Sequence, residues 1–301
     1  MGTGSGRTMP EQAGVEHRWV RVRGVDLHVA VSGAGAPVLL LHGFPQHWYA
    51  WRRVTPLLAD GYRLFAVDLR GFGWSQQSRR GYDTTGLARD VLALLDELGL
   101  DRVRLIGHDW GALVGFRICL LAPERVRAFL ALNITHPWPQ HRQVLLNLWR
   151  MWFTAFLEYP VLGRLVLRRW PGFVRMLLRR AVADPGSWRP GEIEEFTEAA
   201  AASAVAGQSM FLQYVLREIP ALVLGTYRSA RLTVPTLLLT GARDRVIPPG
   251  LLAGGERRAD DLTVRAVEDA GHHLHEERPA LVAEAARELF GRDGLAIRTA
   301  G

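Results

Sequence analysis

The sequence predicts an α/β fold: a mostly parallel, eight-stranded sheet flanked by helices, with a helical cap inserted late in the chain. Three observations predict it. Apolar runs of strand length recur in the first and last parts of the sequence, each closed by a turn residue. Helical periodicity fills the gaps between them. One long interval, residues 135–231, holds no strand text.

Each element follows in order. Residues 19–32, WVRVRGVDLHVAVS, alternate apolar and polar around a Gly-Val-Asp turn, the pattern of an antiparallel hairpin. Then come PVLLLHG (37–43), YRLFAVDLRG (62–71), VRLIGHD (103–109) and VRAFLALN (126–133). VPTLLLTG (234–241) and TVRAVEDAG (263–271) follow much later. A strand that is apolar at every position is covered on both faces, which implies a parallel sheet between helices. The helices are WYAWRRVTPLLAD, TTGLARDVLALLDELGL, WGALVGFRICLLA and, at the end, RPALVAEAARELF. Between the sixth strand and the return of strand text at Val234 lies Trp- and Arg-rich helical sequence. The expected organisation is a flexible tail over 1–15, a core over 16–134 and 232–301, and a helical cap over 135–231. Such a cap would cover the C-terminal edge of the sheet, where open α/β sheets bind ligands.

Composition narrows the partners. The chain has 301 residues, 48% hydrophobic and 22% charged, enough for a sizeable core. No apolar run approaches the ~18 residues of a membrane span, and WGALVGFRICLLA carries Arg117. The first residues lack the apolar stretch of a secretory signal. Cys119, the one cysteine, lies in apolar helical text and reads as a buried, inert thiol. A cytoplasmic setting is expected. The formal charge is +7, and all 37 strongly basic residues are arginines. They are scattered, apart from pairs such as Arg168–Arg169 and Arg179–Arg180. Neither nucleic acid nor a membrane is therefore expected as a partner.

The chemistry is concentrated in three places. Gly107-His108-Asp109-Trp110-Gly111 ends a strand and opens a helix, the context of a nucleophile elbow. Taken alone, Asp109 could simply cap that helix. Asp244 lies in ARDRVIPP, beyond a strand end, and His272 lies in GHHLHEERP, beyond the last one. Singly these are an ordinary turn acid and an ordinary surface histidine. Together they supply nucleophile, orienting acid and base in chain order, and a parallel sheet brings all three to one edge. HGFP, after another strand, adds an oxyanion hole from the backbone N–H groups of Phe44 and Trp110. Gly71-Phe72-Gly73 reads as a loop after a strand, not a phosphate site. His272, His273 and His275 match neither one helix face nor a zinc spacing, so neither metal nor cofactor is expected.

HGFPQHWYAWR, DLRGFGWS, LIGHDWGALVGFRI, GARDRVIP and AGHHLHEERP together resemble the epoxide hydrolases of the α/β-hydrolase fold, relatives of the haloalkane dehalogenases. The resemblance implies that Asp109 attacks an epoxide carbon to form an aspartyl ester. His272, the histidine directly after glycine, then activates water, oriented by Asp244, and a diol is released. It also implies two cap tyrosines as proton donors. Tyr227, in a Tyr-Arg pair, stands for the second. Phe153 stands where the first is expected and has no proton to give, leaving Tyr159 or Tyr214 to compensate. Trp152 and Phe153 are expected in the substrate pocket, which implies an apolar or aromatic small-molecule substrate. A homodimer is compatible with this reading. Two alternatives stay open: hydrolysis of a carbon–halogen bond, and a non-hydrolytic binding or biosynthetic cyclase role on the same fold. The complete Asp109–Asp244–His272 set argues against the latter.

Overall fold

A computed structural model of the chain describes residues 7–298. Eight strands form one sheet: β1 (Val15–Val22), β2 (Val25–Ser32), β3 (Ala36–Leu41), β4 (Tyr62–Val67), β5 (Val103–His108), β6 (Val126–Leu132), β7 (Thr236–Gly241) and β8 (Leu262–Val267). Their spatial order is β1-β2-β4-β3-β5-β6-β7-β8. The β1–β2 and β2–β4 pairs are antiparallel and all later pairs are parallel. The hairpin therefore forms one edge, and every continuous apolar run becomes a parallel strand. The alternation inside these runs explains their composition. Leu39, Leu41 and Leu105 face one apolar core, while Val38, Leu40 and Ile106 face the other. Polar residues fit on neither side.

Helices α1 (Thr55–Leu58), α2 (Thr84–Glu97) and α3 (Trp110–Leu121) separate the early strands. The expected helix over WYAWRRVTPLLAD is shorter than its text. It breaks into a tight turn at Trp48–Trp51 and the single-turn α1, which starts around Pro56. Proline has no N–H to continue a preceding helix, so it starts a new one.

After β6 the chain runs through α4 (His141–Asn147), α5 (Thr154–Leu157), α6 (Pro160–Arg169), α7 (Pro171–Ala181), α8 (Glu192–Ala202), α9 (Ala204–Gln213) and α10 (Ile219–Val223). A wide turn at Tyr214–Glu218 joins the last two. Among the described residues no strand interrupts this segment. Buried ion pairs tie it to the core. Arg52 contacts Glu192 of α8 at 2.6 Å and Glu276 of α11 (Leu274–Glu277) at 2.8 Å, and Arg53 reaches Glu192 at 2.6 Å. Finally, α12 (Pro279–Arg298) packs its Val282, Ala286 and Leu289 under the sheet. Of the expected flexible tail, residues 1–6 lie outside the described residues. Arg7 pairs with Glu195 and stacks over Trp74.

Candidate active site

β5 ends at His108 and α3 begins at Trp110, so Asp109 alone makes the turn between them. Its backbone is left-handed, with φ +49° and ψ −119°. Such a conformation costs a residue with a side chain about 1–3 kcal/mol. Close packing enforces it. A Cβ on Gly111 would lie 2.2 Å from the carbonyl oxygen of Leu41, and one on Gly107 2.7 Å from the Cα of Ala112. The two glycines let α3 approach strands β3 and β5 closely enough to hold the bend.

The bend lifts the Asp109 carboxylate off the sheet edge. Its Oδ1 accepts the N–H of Phe44 at 3.0 Å, and the N–H of Trp110 also bonds the carboxylate. Its Oδ2 lies 3.5 Å from Nε2 of His272. On the far side of that ring, Nδ1 donates to Oδ2 of Asp244 at 2.9 Å. Backbone N–H groups of Val246 and Ile247 hold the other Asp244 oxygen at 2.7 and 2.9 Å. The structure thus brings together Asp109, Asp244, His272, Phe44 and Trp110.

Asn133 completes the arrangement and was not singled out from the sequence. Its Nδ2 donates to Asp244 Oδ2 and to the carbonyl of Gly271, both at 3.0 Å. It is fully buried, with φ +51°. The available signal was an asparagine immediately beyond a strand end, a residue that tolerates left-handed backbone. His272 is also held by its main chain. Its N–H donates to Ala181 O at the end of α7, at 2.7 Å, and its carbonyl accepts from His108 Nε2 at 2.9 Å.

Electrostatics separates the roles. Burial disfavours the imidazolium of His272, but Asp244 and Asp109 outweigh it and push the ring's pKa up to about 10. Burial would raise the Asp109 carboxyl; His272 and the Trp110 N–H reverse this and hold it below its usual range. In the resting site, then, Asp109 is a carboxylate facing an imidazolium. Under them, burial pushes His108 down to about 4 and His273 and His275 well below the usual histidine range. Those three offer ring nitrogens within 4.8 Å of one another, the one such group among the described residues with the makings of metal ligands. His108 comes from β5, so the histidine run alone could not show the grouping.

The carboxylate opens into a cavity of about 1160 Å³ between the sheet edge and the helical segment. Apolar residues such as Leu113, Ile134, Trp138, Phe153, Leu177 and Phe211 line much of it, with His272 and His273 at its floor. Phe153 is in the lining, as expected. Trp152 is not: it is 44% exposed and rests its ring against Phe153, Phe156 and Phe173. The two occupy successive positions in one helical stretch, so they face different ways.

The tyrosines differ in their surroundings. Tyr227 touches the cavity, but its hydroxyl donates to Glu218 at 3.0 Å and accepts from Arg117. Arg117 also stacks over its ring at 4.6 Å. Tyr214 lies inward, its ring edge-on to Trp110 at 5.3 Å. Burial pushes its pKa up to about 12, helped by Glu218 and Asp109. Tyr214, rather than Tyr227, therefore feels the Asp109 charge. Tyr159 is 62% exposed, at the start of α6, and does not line the cavity.

Known proteins match this architecture. A soluble epoxide hydrolase of Corynebacterium sp. (strain C12) is 28% identical over 291 residues, which is 92% of this chain and 97% of that protein. Epoxide hydrolase 2 of Siraitia grosvenorii is 44% identical over 123 residues; that match spans 40% of this chain and only 39% of the relative's length. Among solved structures, Cfl2 from Burkholderia cenocepacia superposes with a TM-score of 0.82 at 30% identity, over 96% of this chain and all of that one. Residues 36–279 match the family model of the alpha/beta hydrolase fold, which takes in both halves of the sheet and the helices between them. With its strand order, its elbow and this match, the chain belongs to the α/β hydrolase fold family.

Proposed function

We propose that the chain is an epoxide hydrolase working through an aspartyl ester on Asp109, with an apolar or aromatic small-molecule substrate. One observation carries the reading: the two oxygens of Asp109 have different surroundings. Oδ1 is held by the Phe44 N–H, while Oδ2 points to His272 and the cavity. Oδ2 is then the attacking atom, and Oδ1 becomes the carbonyl oxygen of the ester, already seated in its oxyanion hole.

The steps follow from the geometry. Oδ2 attacks an epoxide carbon, and the C–O bond of the ring breaks. The alkoxide takes the hydroxyl proton of Tyr214, which is neutral at any working pH because its pKa is about 12. Esterification removes the Asp109 charge, one of two carboxylates holding the imidazolium of His272 in place. Its pKa falls, the imidazolium gives up its proton to restore the Tyr214 phenolate to a hydroxyl, and the neutral ring becomes a base for water. Hydroxide adds to the ester carbonyl, the Phe44 and Trp110 N–H groups stabilise the oxyanion, and the diol leaves. One such N–H is worth about 3–4 kcal/mol in the barrier. A serine at position 109 would give an ether that water could not cleave.

Residues 135–231 act in this reading as the cap that shapes the cavity and excludes water. Incubation with styrene oxide and, separately, with a bromoalkane tests the proposal. Diol without bromide is the expected result. Bromide without diol would transfer the chemistry to carbon–halogen bonds, and neither product would leave a binding or cyclase role.

A further inference from the structure

The outer face of the helical segment combines two features. Residues 141–181 contain eight arginines and one acid, Glu158. That excess of seven equals the formal charge of the entire chain, so the remainder is balanced. The same stretch is apolar outside as well as inside. Eleven of the eighteen exposed large hydrophobic side chains among the described residues lie between 144 and 170.

α6 shows the arrangement most plainly. Gly163, Val166 and Leu167 face inward and are buried. Val161, Leu162 and Leu165 face outward, 82%, 42% and 53% exposed. Arg168 and Arg169 continue that outward face at the helical spacing. A surface helix ordinarily shows polar residues on this side. α4 repeats the pattern, with Arg142, Leu145 and Leu146 exposed and Trp149 continuing the same stripe. Aromatic contacts make the patch continuous. Trp152 meets Phe156 at 6.1 Å, Phe156 meets Phe173 at 6.1 Å, and Trp170 covers Phe173 at 5.4 Å. Among the described residues, no carboxylate pairs with Arg168, Arg169, Arg179 or Arg180.

We propose that this face docks on an anionic phospholipid surface, lying in the headgroup layer. The side chains fit that medium. Tryptophan and tyrosine favour the interface, valine and leucine reach the acyl boundary, and arginine stems snorkel to phosphates. Among the described residues no helix is long and apolar enough to cross a membrane, and the proposed association is peripheral. A nucleic acid would satisfy the arginines but leave the aliphatic residues of α6 against water and phosphate. A second copy placed face to face would oppose two like-charged patches. Val144 and Leu145 belong both to this face and to the cavity lining, so docking would set the cavity mouth against the acyl layer. The inference stands apart from the reaction proposed above. It departs from the expectation of no membrane partner because linear spacing made the arginines look scattered.

The test is flotation of the full chain with vesicles of phosphatidylcholine alone, or of phosphatidylcholine mixed with phosphatidylglycerol. The mixed vesicles should carry the protein at low salt, with a blue shift of tryptophan emission, and release it at high salt. R168E/R169E should lower the partition coefficient at least about thirtyfold, since each arginine near an anionic surface contributes a factor of about five. L162S/L165S should also weaken binding, which adhesion by charge alone would not show. All four positions are exposed or nearly so, and unchanged melting curves would confirm that the variants fold. Failure of the wild-type chain to float with mixed vesicles would overturn the proposal. So would equal partition of wild type and both variants, or self-association or binding of an RNA oligomer without vesicle binding.

Discussion

The sheet edge around Asp109 and the outer face of α4 to α7 are built on opposite rules. At the edge, each of Asp109, Asp244 and His272 is fixed by at least two partners, and Gly107 and Gly111 have no room for a methyl group. On the outer face, large apolar side chains and unpaired arginines point away from the protein. The difference teaches where this fold invests its constraint. A strained backbone such as that of Asp109 persists only if its surroundings leave it no alternative. The outer face needs no such rigidity, and its composition is free to serve something outside the chain. The inner side of the helical segment stands between these extremes: Phe153, Phe211 and Tyr214 shape the cavity from helices otherwise rich in surface residues.

The contrast can be broken most forcefully at Gly111. Its added Cβ would meet main-chain atoms of β3, which cannot swing aside. G111A should destabilise the protein by at least about 3 kcal/mol or prevent folding, whereas L165S on the outer face should change stability by less than about 0.5 kcal/mol. Chemical denaturation of both variants measures the gap, and equal losses would erase the distinction.

The next largest effect sharpens the role of the cavity wall. Y214F should lower kcat/KM for an epoxide about 100-fold, the usual worth of a positioned acid. Y227F should cost less than about threefold, because that hydroxyl is occupied by Arg117 and Glu218. The reverse ranking, read from steady-state kinetics, would restore Tyr227 as the donor.

A smaller effect follows from pH. His42 and His108 are buried and held neutral, each with its pKa pushed down to about 4. Between pH 6.5 and 4 the unfolded chain binds protons that the folded one refuses, so stability falls as pH falls. The two rings together should remove about 2 kcal/mol between pH 6.5 and 5.5. His272 acts on the other side. Its raised pKa gives stability that is complete below pH 6.5 and declines as pH rises toward about 10. Thermal melts should therefore show greatest stability near pH 6.5, and a melting temperature still rising at pH 8 would contradict this.

Much of this was legible in the sequence. Continuous apolar runs identified the inner parallel strands because these are buried on both faces, whereas β8, at the edge, is largely exposed. Turn residues at their ends located Asp109, Asp244 and His272, because chain order and strand polarity determine which edge they reach. Local text could not reveal contacts between distant elements. Asn133 acts only because β6 lies beside β7, and His108 meets His273 only through the fold. Trp152 departs from expectation for a related reason: helical phase decides which side chains of a stretch face the cavity.

The most direct measurement concerns His272. In H272Q, Asp109 keeps the Phe44 N–H and the cavity but loses the proposed base for water. Mass spectrometry after incubation with an epoxide that the wild-type chain converts should find one substrate-sized addition on the peptide bearing Asp109. An unmodified Asp109 peptide, or an adduct elsewhere, would contradict covalent catalysis at this carboxylate.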